Sequence, residues 1–127
     1  MNFTVQGFLI WTIIIYLIGN FVGWIAKCNA MTQLQSEIHE WQEKTFPNAD
    51  AFSKYHHLVK EVIELGKALY ANVGVRGELA DCQHLLFGIA SKRGFNQYEI
   101  TREKFGVNKN RKWGKPDEHG VVEHIAE

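Results

Sequence analysis

"LVKEVIELGKALYANVGVRGELADCQHLL", residues 58–86, decides how this chain is read. It holds two copies of one small acidic pattern: Glu61 and Glu64 are three apart, and so are Glu78 and Asp81. Both pairs sit in runs whose apolar residues recur at helical spacing. In the first run Leu58, Val62, Leu65 and Leu69 form a stripe that Phe52, Tyr55, Val59 and Ile63 widen. In the second, Leu79, Cys82, Leu86 and Ile89 are expected to face inward. Residues three apart on a helix share a face, so each acidic pair points one way. Thirteen residues, Leu65 through Gly77, separate the pairs, and "ANVGVRG" within them is a loop signal with two glycines. A short link makes two helices antiparallel neighbours, which lets the pairs face one another across a hairpin. The acids flank the apolar stripe, so they are partly shielded. Four partly shielded carboxylates repel and need protons or a cation. An all-oxygen donor set suits Mg2+ or Mn2+, and a Mg2+ site of this kind typically keeps waters and shares its ion with substrate phosphates. On spacing alone, an oxygen-only cation site and a pair of solvated helix faces both stand.

The same reading extends to either side, and it is all-α. "MTQLQSEIHEWQEKTF", residues 31–46, places Leu34, Ile38 and Trp41 at helical spacing, with Asn29 or Thr32 as a candidate cap. Pro47 ends it, and Asn48 or Asp50 opens the next helix, which runs to about Tyr70. A third helix is expected from about Gly77 to Arg93, with Gly94 as its stop. The fourth begins with an N-x-x-E box, Asn96 and Glu99, flanked by Phe95 and Ile100 as a hydrophobic staple, and ends at Gly106. No run alternates with period two for long enough to make a strand. The tail from Val107 is polar, holds Gly and Pro, and reads as irregular. It continues a basic cluster of Lys104, Lys109, Arg111, Lys112 and Lys115.

In front of these helices lies a different kind of sequence. All 28 charged residues fall from Lys27 onward. "GFLIWTIIIYLIGNFVGWIA", residues 7–26, has the length of a bilayer-spanning helix, with Trp11 and Trp24 towards its ends where interfacial anchors are expected. A signal peptide would want a basic n-region, which is missing. A core helix would not be apolar all round in a domain of this size. The expectation is therefore an anchor helix in residues 1–27 and a soluble domain in residues 28–127. Because the lysines and arginines follow the span, the soluble domain is expected to face the cytoplasm. Gly19 and Gly23 make a G-x-x-x-G pair, a possible helix-pairing face that is also a common chance spacing in such helices.

Composition excludes several functions. Fourteen Lys and Arg balance fourteen Asp and Glu, which argues against a nucleic-acid polymer as partner. Cys28 and Cys82 lack metal spacing and read as ordinary thiols. There is no G-x-S-x-G, P-loop or zinc spacing, so acyl transfer and P-loop chemistry have no support. His56, His57 and His84 read as structural hydrogen-bonding residues, and His119 and His124 receive no role.

The pattern E-x-x-E, a short link, then E-x-x-D resembles the motif of the MazG-like all-α nucleoside triphosphate pyrophosphohydrolases. Here it stands as Glu61-Val62-Ile63-Glu64 and Glu78-Leu79-Ala80-Asp81. "WQEKTFPNAD", residues 41–50, and "EKFGVNKNRKWGKPDEHGVVEHI", residues 103–125, resemble the dATP/dGTP pyrophosphohydrolase (MazZ-type) branch. The likeness runs from about Leu34 to Ile125. It is sharpest where the acids are joined to N-x-x-R-x-W at Asn108, Arg111 and Trp113. The resemblance implies a MazG-like bundle of about four helices behind the anchor. It implies Mg2+-dependent cleavage of a (deoxy)nucleoside triphosphate, dATP or dGTP for this branch, between its α- and β-phosphates. Glu61, Glu64, Glu78 and Asp81 would hold Mg2+, with Mn2+ as the other candidate ion. Lys104, Asn108 and Arg111 would hold phosphates, and a guanidinium pairs well with phosphate oxygens. Homo-oligomers are expected, as is a phage or prophage source. Lys60 stands where many members carry a second glutamate, a departure that touches only an auxiliary ligand. Trp41 and Phe46 are expected to fill core rather than to pack on a base. The alternative reading is a membrane-anchored helical interaction module with the same fold and little catalysis, in which the span and Gly19/Gly23 are the working surface.

Overall fold

The computed structural model describes residues 5–125. The side chains of residues 5–9, Lys27 and Cys28 lie outside the described part, and with them the charge at Lys27 and the thiol at Cys28. Four helices make the fold: α1 (Val5–Thr45), α2 (Ala51–Ala71), α3 (Val75–Lys92) and α4 (Gln97–Lys109). Among the described residues the only strand-like pairing is a single antiparallel bridge, Trp113 with His124.

The expected anchor and the expected first helix of the bundle are one helix. No Gly or Pro interrupts Ile25–Thr45, and neither Asn29 nor Thr32 caps a new start, because the helix is already running through them. Thr32 Oγ1 instead accepts a hydrogen bond from Asn96 Nδ2 at 2.9 Å. At 1.5 Å per residue this helix is about 60 Å long. Its N-terminal half exposes every large apolar side chain described, from Ile10 to Ile25. By length and composition it is the one helix among the described residues able to cross a membrane. Near the end of that half, the Arg102 guanidinium of α4 lies 5.2 Å from the Trp24 ring.

The turns follow their local chemistry. Asp50 caps α2 reciprocally with Ser53: Ser53 N–H donates to Asp50 Oδ1 at 2.7 Å, and Asp50 N–H donates to Ser53 Oγ at 2.8 Å. The Ser53 hydroxyl, which donates to Asp50 Oδ1 at 2.6 Å, and then the Ser53 N–H hold the Asp50 carboxyl below its usual range. Asn72 and Gly74 take left-handed backbone between α2 and α3. The third helix thus starts at Val75, before Gly77, which lies inside its first turn. The fourth helix passes through Gly106 to Lys109, since one helical glycine costs only about 1 kcal/mol.

The central element is α3, which packs on α1, α2 and α4. The core is its two flanks: Cys82 and Leu85, then Phe87 and Ala90, together with Ile38 of α1 and Ala68 of α2. Phe87, 2% exposed, is the largest fully buried side chain. Burial pushes the Cys82 thiol up, so it behaves as a small apolar residue.

The α2 stripe is rotated from the sequence expectation. Leu58, Glu61, Leu65 and Ala68 turn toward the core, as does Lys54, while Val62, Leu69, Phe52, Tyr55, Val59 and Ile63 are exposed. A stripe this wide needs two partners, and within one chain only one flank of it is covered. Leu34, Trp41, Leu79 and Leu86 are likewise more exposed than expected. On α1 the inward positions are Gln35, Ile38 and Gln42. Gln35 closes the α3–α4 turn, donating to Ser91 Oγ and Phe95 O and accepting from Gln97 N–H.

Candidate active site

The α2–α3 hairpin brings carboxylates together. One oxygen each from Glu61, Glu78 and Asp81 lies within 4.8 Å of the others. Glu61 and Glu78 are half-buried and Asp81 is exposed. Glu64, one turn along α2, falls outside this converging trio, yet its charge acts on Glu78. Burial first, then the charges of Glu64, Glu61 and Asp81, push the Glu78 carboxyl above its usual range. Glu78 also sits in the first turn of α3, where the helix dipole favours an anion. A set of oxygen donors under mutual repulsion fits a hard divalent cation such as Mg2+ or Mn2+. Nothing in the trio would attract a soft metal.

His57 joins the trio from one turn back on α2. Its Nε2 stands 2.8 Å from Glu61 Oε1. A ring nitrogen placed so against a candidate ligand oxygen can fix that oxygen's orientation.

Beside the carboxylates opens a cavity of about 300 Å³. Glu61, Asp81, His57 and His84 line it, together with Trp41, Phe46, Ala49, Ser53 and Leu85. Trp41 and Phe46 were expected in the core. They are instead 53% and 48% exposed and meet edge to face, ring centroids 5.6 Å apart, along the cavity. The reason lies in α1, which turns Ile38 and Gln42 inward and leaves Trp41 on the flank.

At this cavity two further buried polar residues meet, Gln42 and Lys54, 3% and 4% exposed. Gln42 Nε2 donates to His84 O at 3.0 Å, and Gln42 Oε1 accepts from Lys54 Nζ at 2.8 Å. Gly88 on α3 makes room for the pair: a Cβ there would collide with Gln42 Oε1 and lie 3.0 Å from Lys54 Cδ. Burial is the main cause that pulls the Lys54 ammonium below its usual range.

The α4 residues stand apart from this cavity. Lys104 is exposed on α4, Asn108 lies in its last turn, and Arg111 follows just beyond. Arg111 Nη1 donates to Asn108 Oδ1 at 3.3 Å, and Trp113 Nε1 donates to Asn108 O at 3.1 Å. The N-x-x-R-x-W motif is thus a self-bonded turn. The tail holds it by bonds from Gly114 N–H to Glu123 O and from Ile125 N–H to Lys112 O. None of Lys104, Asn108 and Arg111 lines the cavity.

Sequence reasoning missed Gln42 and Lys54, and gave His57 only a structural role. The available signal was Lys54 itself, a lysine in phase with Leu58, Leu65 and Ala68 on the inward face of α2.

The model of the dATP/dGTP pyrophosphohydrolase family matches residues 34–127. The chain belongs to that family. The family is one of hydrolases, and its match takes in the carboxylates, the cavity and the α4 turn together. A Salmonella phage PMBT28 protein named dATP/dGTP diphosphohydrolase is 29% identical over 97 residues, which are 76% of this chain and 32% of that protein. The chain therefore spans about a third of that relative's length. A solved MazG-like pyrophosphohydrolase of cyanophage S-2L, bound to dGDP and three catalytic Mn2+ ions per active site, is 27% identical. It superposes with a TM-score of 0.64, covering 76% of this chain and 97% of that one. The all-α fold is thus MazG-like.

Proposed function

We propose that this protein hydrolyses (deoxy)nucleoside triphosphates, dATP or dGTP in particular, to the monophosphate and pyrophosphate, with Mg2+ or Mn2+ as cofactor. The observation that carries this reading is the convergence of Glu61, Glu78 and Asp81 within 4.8 Å, two of them, Glu61 and Asp81, lining a cavity that the Trp41–Phe46 pair also lines. Membership of the family supports it, as does the dGDP and Mn2+ of the cyanophage protein.

Glu61, Glu78 and Asp81 would hold the ions, with Glu64 joining from the next turn. When bound, the ions neutralise the phosphates and activate the attacking water. His57 steadies Glu61 from 2.8 Å. The base extends away from the carboxylates, along Trp41 and Phe46. The nucleoside is thereby oriented so that its α-phosphate meets the acids, which is the positioning part of the catalysis.

Two further parts of the reading concern the assembly. The exposed outer face of α2, with Phe52, Tyr55, Val59, Ile63 and Tyr70, supports a homo-oligomer that buries it. Lys104, Asn108 and Arg111, off the cavity of their own chain, are then assigned to the phosphates of a site completed by a second copy. The apolar half of α1 supports a membrane anchor in residues 1–27, with residues 28–127 as the enzyme on the cytoplasmic side.

The test is direct. The full chain, purified in mild detergent, is incubated with each dNTP and Mg2+ or Mn2+, and the products are resolved. Monophosphate plus pyrophosphate from a purine dNTP is the expected result. A folded protein that turns over no nucleotide with either ion sinks the reading. It would leave the membrane-anchored interaction module, which the open faces of Gly19 and Gly23 on α1 favour.

A further inference from the structure

The fourth helix has a direction relative to the apolar half of α1. At its start, Asn96 donates to Thr32 Oγ1 and Gln97 N–H donates to Gln35 Oε1. Six residues on, the Arg102 guanidinium has come to Trp24, eight residues back along α1 from Thr32. The two helices are thus antiparallel, and α4 runs toward the apolar half. Lys109, at the end of α4, lies seven residues beyond Arg102, a further rise of about 10 Å.

One face of α4 is built from rings and cations. Tyr98, Arg102, Phe105 and Lys109 are spaced by four, three and four residues, so they form one stripe. They touch along it. Arg102 Nη1 donates to the Tyr98 hydroxyl at 3.3 Å, and Lys109 Nζ lies 5.1 Å from the centre of the Phe105 ring. Phe105 is 60% exposed, and Arg102 and Lys109 are exposed with it. Among the described residues no carboxylate lies within ion-pair distance of either cation. The two acids of α4, Glu99 and Glu103, fall to one side of the stripe. Lys104 and Arg111, assigned above to phosphates, are turned about 180–200° from Arg102, onto the opposite face.

A stripe that mixes rings with long basic side chains has the composition of the zone between hydrocarbon and water. Aromatic rings settle at headgroup level there. Lysine and arginine bury their stems along apolar surface and keep their charges in the polar layer. The stripe is aimed at Trp24, the level where the apolar half of α1 is expected to leave a bilayer. A second copy of the same stripe would fit it poorly, since cation would meet cation. Lipid phosphate supplies the missing anion.

We infer that the Tyr98–Arg102–Phe105–Lys109 stripe is a membrane-surface contact, with Phe105 at the acyl boundary and Arg102 and Lys109 on the phosphates of anionic lipid headgroups. This inference rests on the anchor reading above. The cytoplasmic leaflet is the one rich in anionic lipid, and it is the side on which the enzyme is proposed to lie. Each basic side chain near such a surface contributes about five-fold in binding.

The experiment reconstitutes the full chain into vesicles of phosphatidylcholine alone, or of phosphatidylcholine mixed with phosphatidylglycerol. Flotation reports whether the chain is held, and hydrogen–deuterium exchange reads the amides of residues 102–109. These should exchange about five- to thirty-fold more slowly in the anionic vesicles than in the neutral ones. High salt should shrink the difference. Arg102→Gln and Lys109→Gln should each remove about five-fold of it, and together abolish it, with circular dichroism confirming the helices. Lys104→Gln, the same loss of charge on the opposite face, should leave it in place. Equal exchange in both vesicles overturns the inference. So does a difference that Lys104→Gln removes equally, or slow exchange already present in detergent, which would mean that another copy covers the stripe. Flotation with anionic vesicles alone, lost in the double variant, would remove the anchor and sustain the contact. Flotation with neither vesicle overturns both.

Discussion

His57 Nε2 and Glu61 Oε1 stand 2.8 Å apart, one turn from each other on α2. If Glu61 holds a metal ion as proposed, the histidine supports one of its ligands. Removing the support of a metal ligand typically costs 10–100-fold in metal affinity or activity. His57→Ala should therefore raise the Mn2+ concentration needed for half-maximal turnover by about that factor. A metal titration unchanged by the substitution would return His57 to a surface role.

The carboxylates are unequal in the structure, and their variants should be too. Asp81→Ala takes a member out of the converging trio and should lower turnover by at least about 100-fold, more than loss of a supporting residue does. Glu64→Ala leaves the trio intact and relieves the repulsion on Glu78, so its loss should be smaller. Steady-state rates at saturating metal rank the two, and a larger loss at Glu64 would show that the ions sit further along α2 than the trio suggests.

Lys54 makes stability depend on pH in a defined direction. Its folded pKa lies below the ordinary lysine value of 10.5, chiefly because burial disfavours the charge. The folded chain thus binds fewer protons than the unfolded chain in the window between that depressed value and 10.5, and stability rises with pH across it. Below the window the penalty is present in full. Lys54→Met should accordingly gain most over the wild type at neutral pH, and its advantage should shrink as pH approaches 10.5. Thermal midpoints measured from pH 7 upward, the starting pH being about 7, check the trend. A gap that widens with pH contradicts it.

Gly88→Ala tests how tightly the three helices meet. The added methyl collides with Gln42 Oε1, and Gln42 is tethered to both His84 and Lys54. Overpacking of this kind costs about 1–3 kcal/mol. Denaturant unfolding should show a loss in that range, whereas an unaltered midpoint would mean that Gln42 moves aside freely.

The outer face of α2 predicts an assembly. Val59 and Tyr70 are exposed, Tyr70 almost wholly at 98%. If a second copy covers this face, Val59→Glu and Tyr70→Glu should each lower the mass measured by light scattering in detergent toward that of the monomer, with the helical content kept. An unchanged mass in both variants would assign the interface elsewhere.

Sequence and structure agree best where a pattern carries its own geometry. Glu61 and Glu78 with Asp81 were legible because three-residue spacing and a short link leave little freedom in where the side chains point. Trp41 and Phe46 were misplaced because aromatic residues at helical spacing look the same in a core and on a cavity wall. Only the packing of Ile38 and Gln42 against α3 tells them apart. Lys54 was hidden for a related reason: a lysine in a stripe is ordinarily a flank residue whose ammonium reaches water, and nothing local announces that α1 and α3 close over it. The missing break in α1 shows the limit of cap signals. Asn29 and Thr32 can start a helix, but without a glycine or proline before them nothing stops the preceding one.

That unbroken α1 has a mechanical meaning. Trp24 and Gln42 belong to the same rod, about 27 Å apart along its axis. One belongs to the apolar half and the other holds the cavity's buried lysine. With the apolar half embedded in a bilayer, the cavity would stand on a stalk of fixed height rather than at the end of a swinging tether. Any tilt of the embedded half would then sweep the pocket through a set arc above the surface, like the head of a mast.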